Sequence, residues 1–377
     1  MEFYNPVHIH AGPGSLAALG RIAARRALPG SRVLLLTRGM DFAASPAHRV
    51  LAEALSLYDV REEEFTVSNP DVIDIAVLLA KLRGRAYDLI VAVGGGSVMD
   101  AAKTLAAVLH TDIDSTDGLR RFIQTCGDGP IPLTPWIGVP TTSGTGSEAT
   151  PWATVWDREK ECKLSFSHPD NFACAAVVDP LCTLTCPLSL TVSSALDACA
   201  HAAESYWSRR TTEVTRAFSL LAIRLIRAHL EDLADHPQDE RLRDVIGKAS
   251  LYAGLAFSNT KTTVCHSVSY PITEKFGVPH GTAVALTLGD FMDYNKEAIP
   301  DYAALLAAFQ CESAAAVKAW IAAMLRRGGF ADRLSGFGIG ESDIPYITAH
   351  AFTRGRADNN PVPVTEDAVA SILKKLL

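Results

Sequence analysis

Apolar and polar positions follow two rhythms along the chain. Up to about residue 180, short unbroken apolar runs end abruptly in turn formers. Residues 31–37 stop at Arg38-Gly39, residues 87–93 stop at Gly94-Gly95-Gly96, and residues 136–140 open into a loop of Thr, Ser and Gly. Runs without alternation suit strands covered on both faces of a parallel sheet. Between them, 70–83 and 98–109 read as helices. After Pro187 the period becomes helical over 188–209, 213–233, 239–257, 281–295, 314–327 and 365–377, with abundant Ala and few β-branched runs. The pattern predicts an α/β domain with a parallel sheet over residues 1–184 and an all-helical domain over 185–377.

Composition narrows the class. The chain has 377 residues, 35 Lys plus Arg against 42 Asp plus Glu, and a formal charge of −7. An acidic balance argues against nucleic acid or an acidic membrane surface as partner. With 48% hydrophobic and 20% charged residues, a chain this long buries a core without staples. No apolar run approaches the roughly 20 residues of a membrane span, and the first residues do not read as a signal peptide. Eight scattered cysteines without a CxxC pair read as reduced, buried thiols, which predicts a cytoplasmic protein.

Three segments carry candidate chemistry. Gly94-Gly95-Gly96-Ser97 ends a strand and opens a helix, a place for either a tight turn or a phosphate held by backbone N–H groups. Asp100 and Lys103 follow on that helix, as a surface pair or as cofactor contacts. The loop 140–148 offers five hydroxyls and two glycines, at another strand end. Asp197 and His201 stand four apart and share one helix face among small apolar neighbours. His266 and His280 lie 14 residues apart further on. One carboxylate and three imidazoles can hold a divalent metal and leave a position for substrate, but spacing alone does not bring the two pairs together.

Taken in order, the stretch 94–103, the loop 140–148, Val178-Asp179-Pro180, Asp197 with His201, and Pro279-His280-Gly281 resemble the iron-containing, group III alcohol dehydrogenases over nearly the whole chain. The resemblance implies a dinucleotide-binding N-terminal domain and a helical metal-binding domain, in the fold of dehydroquinate synthase. It implies Fe²⁺, or Zn²⁺ in some members, on Asp197, His201, His266 and His280. It implies NADH or NADPH at Gly95, Gly96, Ser97, Asp100, Thr141, Thr142, Thr145, Thr150 and Lys163, in a homodimer.

Two positions depart from the family pattern. Tyr270 stands where many members have a second histidine, so proton delivery falls to Tyr270, a water or a ribose hydroxyl; Tyr270 and His266 are the candidate catalytic residues. Arg38 stands where NAD-using members have Asp, and would pair with a 2′-phosphate, with Asp41 nearby. The stretch 261–273 and Asn5-Pro6-Val7 resemble the phosphonoacetaldehyde (2-hydroxyethylphosphonate) reductase branch. That implies reduction of a small anionic aldehyde in phosphonate biosynthesis, with Lys261, Thr262 and Thr263 as donors to the acid group. Arg354 and Arg356 are candidate further cations. Another small alcohol, diol or hydroxy acid is the alternative substrate.

Overall fold

The computed structural model describes residues 2–126, 129–160, 162–353 and 355–377, the side chains of Met40 and Asp41 excepted. Arg354 lies outside the described residues. By contacts the chain divides into two compact units. One holds Asn5–Thr142 and Ser147–Thr185; the other holds Cys186–Leu377 with Ser143–Gly146 and the first few residues.

The first unit is built on strands β1 (His8–Ala11), β2 (Arg32–Thr37), β3 (Asp59–Glu64), β4 (Leu89–Gly94) and β5 (Trp136–Pro140), the hairpin β6 (Trp152–Asp157) and β7 (Cys162–Ser167), and β8 (Ala175–Val178). Helices α1 (Leu19–Ala23), α2 (Met40–Ala43), α3 (Pro46–Ala54), α4 (Val72–Leu82), α5 (Gly96–Val108) and α6 (Thr116–Thr125) alternate with them. The main sheet has the order β1-β8-β5-β4-β2-β3. Its pairings are all parallel. Strands β4 and β5 are buried along their whole length, because helices cover both faces. The chain leaves β2 in one direction across the sheet and β4 in the other. A switch point therefore lies between their carboxyl ends, where open α/β sheets bind ligands.

The second unit is helical: α7 (Leu188–Trp207), α8 (Glu213–Asp235), α9 (Glu240–Thr260), α10 (Val264–Phe276), α11 (His280–Asn295), α12 (Tyr302–Ala308), α13 (Ala314–Arg327), α14 (Ile344–His350) and α15 (Glu366–Lys374). Helix α7 is buried on all sides from Thr191 to Trp207. Its small residues, among them Ala195, Ala198, Ala200, Ala202 and Ala203, let α8, α9 and α11 pack closely on it within one apolar core. The α/β and all-helical classes match the pattern reading. Helix α10 does not follow from periodicity, since Pro271 sits inside it and two threonines, Thr262 and Thr263, precede it.

Candidate active site

Three elements of the helical unit converge on Asp197. The i, i+4 spacing puts Asp197 and His201 on one face of α7, His266 lies in the first turn of α10, and His280 is the first residue of α11. Gly281 makes the last placement possible: a Cβ there would lie 2.1 Å from the Ser193 carbonyl oxygen and 3.0 Å from the Asp197 Cβ. His266 Nε2 is 3.4 Å from Asp197 Oδ1, His201 Nδ1 is 3.9 Å from Oδ2, and His280 Nε2 is 3.9 Å from Oδ1. The His201 ring stacks between Phe257 at 4.2 Å and His266 at 4.4 Å. One donor atom each from Asp197, His201 and His266 lies within 4.8 Å of the others. His280 stands at the edge of this group, with its side chain 35% exposed.

A second buried carboxylate orients His266, the histidine of α10. Glu204, on α7, accepts hydrogen bonds from the backbone N–H groups of Thr263 (3.0 Å) and Cys265 (2.6 Å), from the Thr263 hydroxyl (2.8 Å) and from His266 Nδ1. It thereby caps the N-terminus of α10 with a side chain from another helix. Burial pushes Glu204 up, but His266 and the donors around it bring it down to about 2. Burial lowers His201 to about 4, against the attraction of Asp197. Burial opposes ionisation of Asp197 too, yet the surrounding histidines hold it well below the usual carboxylate range.

The arrangement fits a metal. Asp197 Oδ1 and His266 Nε2 are buried and make no hydrogen bond with any protein group. Two acceptor atoms 3.4 Å apart in one low-dielectric spot repel each other unless a metal cation lies between them or the His266 ring is protonated. With Nδ1 of His266 held by Glu204 and Nδ1 of His280 3.3 Å from Ser269 Oγ, the Nε2 atoms of both rings face the Asp197 carboxylate. Nothing in the sequence pattern singled out Glu204, although its signal was available: it stands three residues after His201 on the same helix.

The α/β unit carries the loops. The pairing of β4 with β5 sets Gly94 opposite Pro140, and Thr141 N donates to Gly94 O at 3.0 Å. A Cβ on Gly95 would meet Thr142 Oγ1 at 3.2 Å, so the Gly94–Gly96 turn and the hydroxyl loop touch. Gly95 caps α5, whose first residues Gly96 and Ser97 face the switch point; Ser97 Oγ accepts from Asn69 N at 3.1 Å. The Thr141 hydroxyl is buried without a partner. Thr150 is buried, its hydroxyl accepting from Lys103 at 3.0 Å and donating to the Ser147 carbonyl. Lys103 is fully enclosed and also donates to Ser147 Oγ and Trp152 O; burial lowers it to about 8 and raises its neighbour Asp100 to about 6. Lys163 lies on β7 opposite Trp156, and Thr145 belongs to the short segment grouped with the helical unit.

One expectation changes. Thr263 does not serve as a donor to substrate: its hydroxyl proton goes to Glu204 while its oxygen accepts from Trp207 Nε1 at 2.9 Å, and the residue is fully buried. Arg38 directly follows β2. Its Nη2 donates to Thr185 Oγ1 at 3.0 Å, Thr37 donates to Glu62, and the register sets Glu64 opposite Thr37. The register thus sets Glu64 beside Thr37, the residue before Arg38. Thr262 is buried beside His266, and Lys261 is half-buried at the end of α9. A cavity of about 550 Å³ lined by Arg209, Phe352, Thr353, Ala357, Asp358, Pro363 and Val364 includes none of the four metal-ligand candidates.

Family comparisons agree with this architecture. Residues 6–180 match the model of iron-containing alcohol dehydrogenase, and residues 191–377 match that of the Fe-containing alcohol dehydrogenase family, C-terminal. The 1,3-propanediol dehydrogenase of Klebsiella pneumoniae is 30% identical across 97% of this chain and 95% of its own. The chain belongs to the iron-containing alcohol dehydrogenase family. It is therefore an oxidoreductase of a class that works with iron and NAD. The phosphonoacetaldehyde reductase of Streptomyces viridochromogenes is 35% identical over 70% of this chain and 66% of its own length. Among solved structures, sulfoacetaldehyde reductase from Bifidobacterium kashiwanohense in complex with NAD+ superposes with a TM-score of 0.88 at 27% identity, covering 100% of this chain and 98% of that one.

Proposed function

We propose that this iron-containing alcohol dehydrogenase reduces a small anionic aldehyde to its primary alcohol with NADH or NADPH, phosphonoacetaldehyde to 2-hydroxyethylphosphonate in phosphonate biosynthesis. The observation that carries the reading is the buried, hydrogen-bond-less pair Asp197 Oδ1 and His266 Nε2 beside His201 and His280. These four residues would hold the divalent metal. When bound, the metal supplies a Lewis acid for the aldehyde oxygen and the reduced nicotinamide supplies the hydride. Glu204 keeps the proton of His266 on Nδ1, so Nε2 stays available as a ligand. Phe257 closes one side of the His201 ring and excludes water there. Tyr270 stacks on His280 with ring centroids 5.9 Å apart, and its hydroxyl is the chain's own donor for the proton that completes the alcohol. Gly95, Gly96 and Ser97 at the start of α5, with Thr141 and Thr142 on the adjoining loop, would hold the cofactor phosphates through N–H and O–H donors.

The substrate class draws support from relatives whose names specify phosphono- and sulfoacetaldehyde, both two-carbon aldehydes with a strong acid group. The near full-length likeness to 1,3-propanediol dehydrogenase favours a second reading, a short diol or alcohol. Purified protein loaded with Fe²⁺ or Zn²⁺ is to be assayed for NADH and NADPH oxidation with phosphonoacetaldehyde, sulfoacetaldehyde, propionaldehyde and 3-hydroxypropionaldehyde. The expected outcome is a kcat/KM for phosphonoacetaldehyde at least tenfold above that for propionaldehyde, roughly the contribution of one charge-assisted hydrogen bond. Equal values would overturn the anionic substrate and leave a general alcohol dehydrogenase. The reading takes the enzyme as a cytoplasmic homodimer, consistent with eight free cysteines; light scattering after gel filtration checks the dimer.

A further inference from the structure

We propose that Lys261 and Arg356, with Arg210 beside them, form the clamp that recognises the acid group of the substrate, selecting a dianionic phosphonate over an uncharged tail. The inference rests on the aldehyde-reductase reading and names the residues that choose its substrate.

Three chain segments meet at one buried side chain. Asn359 Nδ2 donates to the carbonyls of Thr260 (2.8 Å) and Thr262 (3.0 Å), its Oδ1 accepts from Ser208 Oγ (3.1 Å), and its own carbonyl accepts from Arg209 N (3.1 Å). The segments 208–210, 260–262 and 356–359 are thereby fastened to one another, and each carries a cation: Arg210, Lys261 and Arg356. The other end of the Arg356 loop is fastened next to the metal-ligand candidates. Thr353 N donates to Ser267 Oγ at 2.9 Å, and that hydroxyl donates to the Ala351 carbonyl. Ser267 directly follows His266. The loop is thus pinned on one side to the residue beside a metal-ligand candidate and on the other to the two carbonyls that flank Lys261.

Charge and backbone agree with this geometry. Among the described residues, the guanidiniums of Arg356 and Arg210 repel the Lys261 ammonium and the carboxylate of Asp358 attracts it, in a chain whose net charge is −7. Burial, followed by repulsion from the two arginines, pushes the Lys261 ammonium down, so a dianion relieves a repulsion already present. Lys261 also has φ +59° and ψ 176°, a conformation that glycine adopts without strain and lysine does not. A lysine held there against its backbone preference points to a role for the side chain. Arg356 offers a planar fork and Lys261 a point charge, which together satisfy a tetrahedral, doubly charged oxyanion.

The test compares the metal-loaded enzyme with Lys261→Gln, Arg356→Gln and Arg356→Lys. The readouts are the ratio of kcat/KM for phosphonoacetaldehyde to that for propionaldehyde, and inhibition by ethylphosphonate. Each Gln variant should lower the ratio by about tenfold or more, mainly through KM, and raise the inhibition constant in parallel. Arg356→Lys should recover part of both. In the unaltered enzyme, calorimetric binding of ethylphosphonate should weaken between 50 and 300 mM NaCl, as about expected for screened charges; this measurement needs no variant to fold. A wild-type preference that survives both Gln variants would overturn the clamp while leaving the anionic substrate in place. No binding of ethylphosphonate, with propionaldehyde still turned over, would overturn both. Failure to turn over any aldehyde would instead overturn the aldehyde-reductase reading itself.

Discussion

His266 and His280 stand in the same ligand set but in different surroundings. His266 is 2% exposed and hydrogen-bonded to a buried carboxylate, whereas the His280 side chain is 35% exposed and its Nδ1 lies 3.3 Å from Ser269 Oγ. Removing one partner of a buried charged pair leaves the other uncompensated, at a cost of about 3–5 kcal/mol. His280→Ala should therefore lose most bound metal and activity while the melting temperature of the metal-free protein moves little. His266→Ala should lose both metal and stability, because Glu204 is left buried without its partner. Metal content by elemental analysis and unfolding of both metal-free variants distinguish the two. Equal stability of the two variants would mean that Glu204 is satisfied by the backbone N–H groups of α10 alone.

At the level of elements, the candidate metal group depends on how closely α11 approaches α7. The contact is backbone to backbone: the Cα of Gly281 faces the carbonyl of Ser193 with no room for a methyl group. Gly281→Ala must push the start of α11 away, and overpacking of this kind costs about 1–3 kcal/mol. His280 is the neighbouring residue and moves with it. The expected result is a lower melting temperature together with a weaker affinity for Zn²⁺, measured by competition with a chelator. Unchanged metal affinity in a destabilised variant would show that His280 is not needed as a ligand. The same element logic explains α10. An internal proline and an N-cap Thr263 whose side chain makes no capping bond leave a poor helix, and Glu204 on α7 supplies the cap that the local sequence lacks.

For the molecule as a whole, buried charges in the α/β unit set part of the stability against pH. Burial raises Asp100 from 3.8 to about 6 and Glu148 from 4.5 to about 6, the enclosed Lys103 ammonium only partly offsetting it. Between the unfolded and folded values the folded state holds more protons, so this contribution to stability falls as pH rises from about 4 to 6. At pH 7 both carboxylates are ionised and the unit carries the full penalty. Asp100→Asn removes one of them. Its unfolding free energy relative to wild type should therefore rise between pH 4 and pH 7, by up to about 3 kcal/mol. Urea unfolding at several pH values measures this; a difference independent of pH would mean that Asp100 titrates at its ordinary value in the folded protein.

Much of this was legible in the residues. Unbroken apolar runs ending in glycine, followed by a long Ala-rich helical half, specify an α/β sheet domain and a helical domain, because periodicity is local information and burial on one face or two is written into it. The order of the glycine turn, the hydroxyl loop and the Asp-His and Pro-His-Gly pieces specifies the family. What lay beyond the sequence is whatever depends on partners distant in the chain. Glu204 meets His266 across 62 residues, Thr263 turns its hydroxyl inward to Glu204, and Arg38 donates to Thr185 far along the chain. Three separate segments, each carrying a cation, are fastened together at Asn359. Periodicity tells which face of an element is buried, but not which polar groups share the resulting low-dielectric space. There the energy of a charge depends on its neighbours in three dimensions, and only the packed chain determines who they are.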